Sequence, residues 1–307
     1  MTTSSEGLES SSLRLRGMIL VTISSFGISF GGLISRQIED ADAWQINIHR
    51  SLATVVVVVM IFLFRHRHNA VERVVQIGWP GIFGALSMTV AGVAFMQAIT
   101  TTTVANTLFT LSSIPFITAA LAWVFLREHL TRVTLATMMV AACGVGVMLA
   151  DGVGGGSLYG NAMALVTAVG FSGYAVIIRR HRSVDMMPAY ILSSLLVCLI
   201  ALVLRLDDWA ISWWDFAMCF IWGGLLSGIG NILFIVATRY LYAAEVTLFM
   251  LLEFSLGPIW VWWFVGEAPT VLALGGGALI MSAVLIRTLY QVRETKRAAV
   301  ARVRSPV

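Results

Sequence analysis

Charged residues and cysteines are scarce in this sequence, and both shortages limit what the protein can be. Charged residues make up 12% of the 307 positions, about half of the usual share, while hydrophobic residues make up 58%. The three cysteines, Cys143, Cys198 and Cys219, lie in or beside apolar stretches without any CxxC spacing. We therefore expect no disulfide framework, no metal site and no cofactor. The mean hydropathy of +0.88 indicates an integral membrane protein.

Long apolar stretches follow one another along nearly the whole chain. A helix of about 20 residues crosses the hydrocarbon core of a bilayer, so ten stretches leave room for joints and tails but for no soluble domain. The first has no Ala-x-Ala cleavage pattern and is expected to be a retained helix. The predicted spans are 17–35, 43–64, 77–99, 104–126, 133–150, 158–178, 187–204, 214–238, 245–265 and 269–286.

The basic residues lie almost entirely on one side of this arrangement. Of the 20 lysines and arginines, all but Arg36, Arg50 and Arg205 fall in the tails and the even-numbered loops. Because positive charge is retained in the cytoplasm, this asymmetry predicts cytoplasmic termini and an even number of spans. Residues 1–14 are then a cytoplasmic tail and residues 289–307 a basic one. The positive charge is better explained by lipid headgroups than by nucleic acid, which we do not expect as a partner.

The chain also contains a repeat of about half its length. At a shift of 139 residues Phe95 aligns with Phe234, Trp123 with Trp262, and Glu128 with Glu267. The beginning of each half aligns at a shift of 143, which pairs Arg36 with Arg179. The repeats are predicted to be residues 15–150 and 158–288, joined by an outer linker at 151–157.

Each repeat holds five helices, so the second must enter the membrane upside down relative to the first. The predicted fold class is thus an all-α integral membrane protein of ten helices in two inverted five-helix repeats. Inverted repeats are typical of secondary transporters, whose substrate site lies near the midplane between the repeats. We see no convincing catalytic constellation at a membrane boundary, so an enzyme is not expected. A passive receptor or scaffold would not need an inverted repeat with intramembrane polar residues.

Several local motifs resemble the EamA-type branch of the drug/metabolite transporter superfamily. His49–Arg50–Ser51 stands early in the second helix, and Pro115 precedes a Leu-x-Glu-x-x-Thr pattern that runs from Leu126 through Glu128 to Thr131. The second half departs from the family: it has Glu253–Phe254 where Glu-Pro is usual, with Pro258 displaced. The resemblance covers residues 15–288, and the bend of the ninth helix is expected to differ.

This resemblance implies a central cavity and a transport function. Within the family the chain is most similar to bacterial inner-membrane exporters of aromatic and other hydrophobic amino acids. It implies alternating access around a cavity bounded mainly by the first, third, fourth, sixth, eighth and ninth helices. The partners would be a small-molecule substrate and the lipid bilayer, and the expected protein is a monomer. A multidrug, nucleoside or other metabolite exporter of the same fold stays an alternative.

The residues expected to bind substrate are polar, small or aromatic positions on the cavity helices. Met88, Gly92 and Phe95 recur at helical spacing, and their repeat mates Ser227, Asn231 and Phe234 do the same. The alternative is that these residues only pack between helices and contact no ligand. The full predicted set is Ser24, Phe30, Met88, Gly92, Phe95, Tyr174, Trp222, Ser227, Asn231, Phe234 and Glu253.

Two charged residues are predicted to lie inside the membrane. Glu253 is about eight residues into the ninth span, where a charge is costly and marks a functional position by default. It would bind a substrate ammonium or carry a proton, or else hold helices together as a protonated or paired acid. Arg50 has three possible roles: reaching the interface, pairing with Glu253 or Asp42, or attracting a carboxylate. We expect a structural role for Arg50, because the second helix should be peripheral.

Overall fold

All the secondary structure in the described part of the chain is helical. The computed structural model describes residues 3–67, 69–101, 104–128, 131–152, 158–205 and 208–266, and short stretches between 271 and 293. A π-helical segment, Ile221–Ile229, joins α11 to α12. The α-helices are α1 (Thr3–Ile28), α2 (Gly31–Ser35), α3 (Ala43–Arg65), α4 (Ala70–Gln76), α5 (Gly78–Thr101), α6 (Val104–Leu111), α7 (Ile114–Leu126), α8 (Arg132–Gly152), α9 (Leu158–Arg180), α10 (Met187–Leu204), α11 (Trp213–Phe220), α12 (Gly230–Ala237), α13 (Ala243–Phe249) and α14 (Leu251–Val265).

Within the described residues, seven helical stretches are long and apolar enough to cross a membrane. They are Ser12–Ser35, Ala43–Arg65, Gly78–Thr101, Leu158–Arg180, Met187–Leu204, Trp213–Ala237 and Ala243–Val265. Two shorter apolar helices, Ile114–Leu126 and Arg132–Gly144, lie in the predicted fourth and fifth spans. The predicted tenth span, 269–286, is described only in short stretches, and most of the predicted linker lies outside the described residues. The all-helical membrane fold is therefore confirmed, and the number ten stays a prediction.

The outer surface of these helices is apolar. Large side chains such as Phe64, Leu158 and Trp263 are more than two-thirds exposed on the long helices. Contiguous apolar surface of this extent is rare on soluble proteins and fits contact with lipid chains. Polar side chains are instead buried between helices, where Ser24 donates to the Gly230 carbonyl at 2.8 Å and Ser172 to the Ile114 carbonyl at 3.2 Å.

Local sequence explains where several helices begin and break. α3 begins after Asp42, whose side chain accepts from the amides of Trp44 and Gln45 in a capping box. The predicted span 104–126 is broken into α6 and α7 by a turn at residues 112–113, and Pro115, which has no amide hydrogen, begins the second helix. At the other end of the chain, α1 already begins at Thr3, inside the predicted tail.

Helices that the sequence repeat makes equivalent have equivalent neighbours. α5 packs along α9, and the equivalent pair, α1 and α12, is also in contact. In the same way α3 contacts the π-helical segment, and α10 contacts α5. These pairs are what a pseudo-twofold axis between the repeats requires. The inverted arrangement itself stays a prediction, because the last helix of the second repeat is described only in short stretches.

Candidate functional site

A cavity of about 140 Å³ lies between the two predicted repeats. Helices from both halves bound it, namely α1, α3, α5, α6, α7, α9, α10, the π-helical segment, α12 and the region around α14. In other proteins a cavity of about 150 Å³ holds a single benzene ring. Its lining is Ser24, Ile28, Arg50, Met88, Ala91, Gly92, Phe95, Leu111, Ile114, Thr167, Phe171, Tyr190, Ser227, Asn231, Phe234, Met250, Glu253 and Phe254.

Most of the cavity wall is apolar. The rings of Phe171 and Phe234, from the two halves of the chain, lie 5.3 Å apart and are tilted by 60°. Met88 and Phe95 add apolar surface from α5, and Phe254 from α14. A wall of this kind favours the binding of a flat or branched apolar group over the binding of a hydrated polar group.

Arg50 brings a positive charge to this wall from α3. Its guanidinium lies 4.8 Å from the centroid of the Trp222 ring and 5.8 Å from that of Phe95. Such ring contacts hold an arginine in place while leaving its N–H donors free. The guanidinium makes no ion pair or hydrogen bond with any residue that the structure describes. Arg50 therefore presents unused donors at the cavity.

Glu253, the third residue of α14, brings a carboxyl group to the same cavity. Its carboxyl group has no hydrogen-bond or ion-pair partner in the described part of the chain. Among the described residues Arg50 therefore does not pair with Glu253, which was one predicted alternative. It does not pair with Asp42 either, because Asp42 pairs with Arg205 at 2.8 Å. Both groups line the cavity without a partner among the described residues, and a buried polar group in that position gains from a ligand that hydrogen-bonds to it.

Neutral polar groups line the same cavity as Arg50 and Glu253. The Asn231 amide donates to the Tyr190 hydroxyl at 3.1 Å and to the Ser227 carbonyl at 3.0 Å. The Tyr190 hydroxyl donates to the same carbonyl at 3.3 Å. The Asn231 side-chain oxygen remains an acceptor on the cavity wall. The Asn231–Tyr190 pair therefore links the second repeat's α10 to its α12 while offering polar atoms to a ligand.

Eight of the eleven residues expected to bind substrate lie on the cavity wall: Ser24, Met88, Gly92, Phe95, Ser227, Asn231, Phe234 and Glu253. The other three do not. Phe30 stacks on Trp260 at 4.7 Å, beyond the end of α1, and Tyr174 is fully buried in the core one turn past Phe171. Trp222 lies behind Arg50 and faces Gly31, where a Cβ atom would come within 2.7 Å of the indole nitrogen.

Ten of the eighteen lining residues were not among those predicted, and most of these ten are apolar. Arg50, for which we expected a structural role, lies on the cavity wall, because α3 packs so closely that its side chain reaches the cavity. A Cβ atom on Gly223 would overlap the Arg50 carbonyl group, and Thr54 donates to the Gly223 carbonyl at 2.8 Å. The His49–Arg50–Ser51 motif was the available signal. Thr167, Phe171 and Tyr190 gave no signal beyond their polar or aromatic character.

An ionic network closes the end of the bundle that carries the arginines. Arg14 on α1 donates to both carboxylate oxygens of Glu245, at 2.7 and 3.0 Å. Arg179 at the end of α9 donates to Glu128 at 2.7 Å. Both guanidiniums lie 5.4 Å from the centroid of the Tyr242 ring. The network ties α1, α9 and the beginning of α13 together on one side of the cavity.

Comparison with known proteins agrees with this architecture. Residues 15–150, which form the first predicted repeat, match the EamA-like transporter family. A solved crystal structure has a TM-score of 0.74 to this chain at 16% sequence identity, covering 90% of this chain and 98% of its own. At that identity the likeness shows a shared fold. None of the curated proteins compared with the chain matches it.

Proposed function

We propose that the whole chain is an EamA-like secondary transporter that exports small amphipathic metabolites, with aromatic and other hydrophobic amino acids as its preferred substrates. The family match on residues 15–150 supports a membrane transporter. The observation that carries the substrate class is the cavity itself. It holds one cation and one acid, Arg50 and Glu253, neither of which has a partner among the described residues, on an otherwise apolar wall.

A zwitterionic amino acid would satisfy both charges at once. Its carboxylate suits the planar guanidinium of Arg50, which can donate two parallel hydrogen bonds, and its ammonium group suits the Glu253 carboxylate. Asn231 and Tyr190 supply further polar contacts. The apolar side chain of the substrate would then lie against Phe95, Phe171 and Phe234. A cavity of about 140 Å³ accommodates one such side chain but is below the roughly 300 Å³ at which sites for drug-sized ligands begin.

The mechanism we propose is alternating access between the two repeats. The arginine asymmetry predicts that both termini are cytoplasmic, so the ionic network of Arg14, Glu245, Arg179 and Glu128 would lie on the cytoplasmic side. Opening the cavity to the cytoplasm then requires separating α1 and α9 from α13. In this proposal the protein resides in the inner membrane of a bacterium and exchanges between two arrangements of the same helices.

The test is transport by purified protein in liposomes, with and without a pH gradient. Labelled phenylalanine and leucine are expected to enter protein-containing vesicles faster than empty ones. Phenethylamine lacks the carboxylate, and 3-phenylpropionate lacks the ammonium group. If both charges are recognised, each analogue should compete at least about tenfold more weakly than phenylalanine. Equal competition by all three would contradict zwitterion recognition, and the absence of amino-acid uptake by folded protein would contradict the substrate class.

A further inference from the structure

A second concave surface lies away from the cavity, at the ends of α7 and α9. It is an open groove of about 750 Å³, and none of its lining residues lines the central cavity. Two short runs of the chain form it, one at the end of each helix. The residues are Val124, Phe125, Leu126, Arg127, Glu128, Arg179, Arg180 and Arg182, and we refer to them as the arginine groove.

The arginine groove has positive charge that the described part of the protein does not neutralise. Glu128 is fully used: one carboxylate oxygen accepts from Arg179 at 2.7 Å and the other from the Ala243 amide at 3.3 Å. Arg180 donates one bond to the Phe125 carbonyl at 2.8 Å, which holds its guanidinium at the groove. Arg127 and Arg182 have no ion-pair or hydrogen-bond partner among the described residues. Three arginines therefore face the groove without a counter-charge.

Arg127 has a backbone conformation that is unusual for a residue other than glycine. Arg127 ends α7 in the left-handed conformation, with φ 54° and ψ 29°, and is the one non-glycine residue with positive φ in the described part of the chain. Helices usually end this way with glycine, which adopts the conformation without steric cost. At the shift of 139 the repeat mate of Arg127 is Gly266, which ends α14 with φ 82°. The chain thus has the expected glycine in one repeat and a charged residue in the other.

The wall beside these arginines is apolar and faces outward. Trp123, Val124 and Phe125 are each about 60% exposed on the surface of α7 that the fold leaves to lipid chains. An occupant of this groove therefore meets positive charge at the membrane boundary and apolar side chains just inside it. A molecule with an anionic phosphate head and acyl chains has the same two parts in the same order.

We propose that the arginine groove binds the phosphodiester headgroup of an anionic phospholipid, with Arg127 and Arg182 as its main phosphate contacts and Arg180 as a third. The acyl chains lie along Trp123, Val124 and Phe125. The proposal depends on the membrane location of the helices and is independent of what the central cavity carries. A free inorganic phosphate offers the same oxygens, but it would leave the apolar wall unoccupied.

The decisive variant is Arg127→Gly, because its effects on fold and on binding have opposite signs. Glycine removes the charge and relieves the left-handed backbone, so lipid-free protein in detergent should keep or raise its Tm. Delipidated wild-type protein should bind dioctanoyl phosphatidylglycerol, measured by native mass spectrometry and by the rise in Tm. Binding by Arg127→Gly should be at least about tenfold weaker, as expected for loss of a charge-assisted contact. Arg127→Gly with Arg182→Gln should abolish it.

The control is Arg65→Gln with Arg67→Gln, which removes two exposed arginines at the end of α3 and should leave lipid binding unchanged. Dioctanoyl phosphatidylcholine and inorganic phosphate form the other arms. If dioctanoyl phosphatidylcholine binds as tightly as dioctanoyl phosphatidylglycerol, the groove does not recognise the negative charge of the headgroup. If inorganic phosphate raises the Tm as much as the phosphatidylglycerol does, the groove is a site for free anions. Either result overturns the proposal. So does unchanged phosphatidylglycerol binding by Arg127→Gly.

Discussion

The guanidinium of Arg50 lies 4.8 Å from the centre of the Trp222 ring, and the two residues come from different halves of the chain. The contact depends on Gly223, the next residue along, because any side chain there would displace the backbone of α3 at Arg50. Trp222 is therefore in contact with a residue of the cavity wall, although it does not itself line the cavity. A ring holds a guanidinium without using its donors, which keeps them available for a carboxylate.

Replacing Arg50 should lower transport much more than it lowers folding. Arg50→Gln removes a charged donor that we assign to the substrate carboxylate, a contact worth about 2 kcal/mol, so the apparent substrate affinity should fall roughly thirtyfold. Arg50→Lys should recover only part of the loss, because an ammonium group lacks the planar pair of donors. The measurement is concentration-dependent phenylalanine uptake, normalised to folded protein.

The matched control for Arg50 is Arg205→Gln. Arg205 pairs with Asp42 at 2.8 Å on the surface, where both side chains are about 40% exposed, and such pairs contribute at most about 1 kcal/mol. Uptake by this variant should stay close to that of the wild type. If Arg50→Gln behaves in the same way, Arg50 has no role in binding substrate.

A large side chain on the predicted faces of α5 and α12 should block the cavity. Gly92 and Asn231 both line the cavity, and the indole ring of a tryptophan at either position would fill most of its volume of about 140 Å³. Gly92→Trp and Asn231→Trp should each reduce flux by at least about tenfold. Gly146→Trp is the control, because nothing lies within 4 Å of a Cβ atom at this exposed position of α8. Wild-type flux in both cavity variants would show that these faces only pack.

The sequence predicted the cavity faces better than it predicted the helices that hold them. Helical spacing and the repeat were sufficient for Met88, Gly92, Phe95 and their mates, since those residues depend on one helix each. The π-helical segment and the break before Pro115 were not predicted, because both depend on how neighbouring helices pack. The position of Arg50 on the cavity wall was not predicted for the same reason: its depth follows from the glycine contact with another helix, which no single-helix pattern shows.

Cysteine labelling should test the proposed orientation. In a cysteine-free background, Ala210→Cys lies in the segment before α11, and Asn69→Cys lies between α3 and α4; both positions are exposed. A membrane-impermeant maleimide should label residue 210 in intact cells and residue 69 only after the inner membrane is permeabilised, because the arginines flank residue 69. The opposite labelling pattern would invert the proposed topology.

Breaking the Arg14–Glu245 pair should destabilise the closed end of the bundle. Glu245 is fully buried and Arg14 is about one-quarter exposed, so Glu245→Gln should cost about 3 kcal/mol, near the lower end of the range for a broken buried pair. In a chain of this size that corresponds to a drop in Tm of roughly 5 °C in detergent. Arg14→Gln combined with Glu245→Gln should recover part of this loss. Additive losses in the double variant would contradict a direct interaction.

Glu253→Gln separates the two roles that remain for this acid. Glutamine preserves the shape and hydrogen bonding of glutamate but cannot ionise, so a residue that only packs should tolerate it. If Glu253 binds the substrate ammonium or carries a proton, Glu253→Gln should lower the transport rate per folded molecule by about tenfold or more and change its pH dependence.

Glu72→Gln, at an exposed glutamate on α4, is the control for loss of one negative charge. The repeat mate of Glu253 is Ile114, which also lines the cavity, so the pseudo-symmetry does not require a carboxylate at this position. A wild-type rate with unchanged pH dependence in Glu253→Gln would therefore leave Glu253 with a structural role alone.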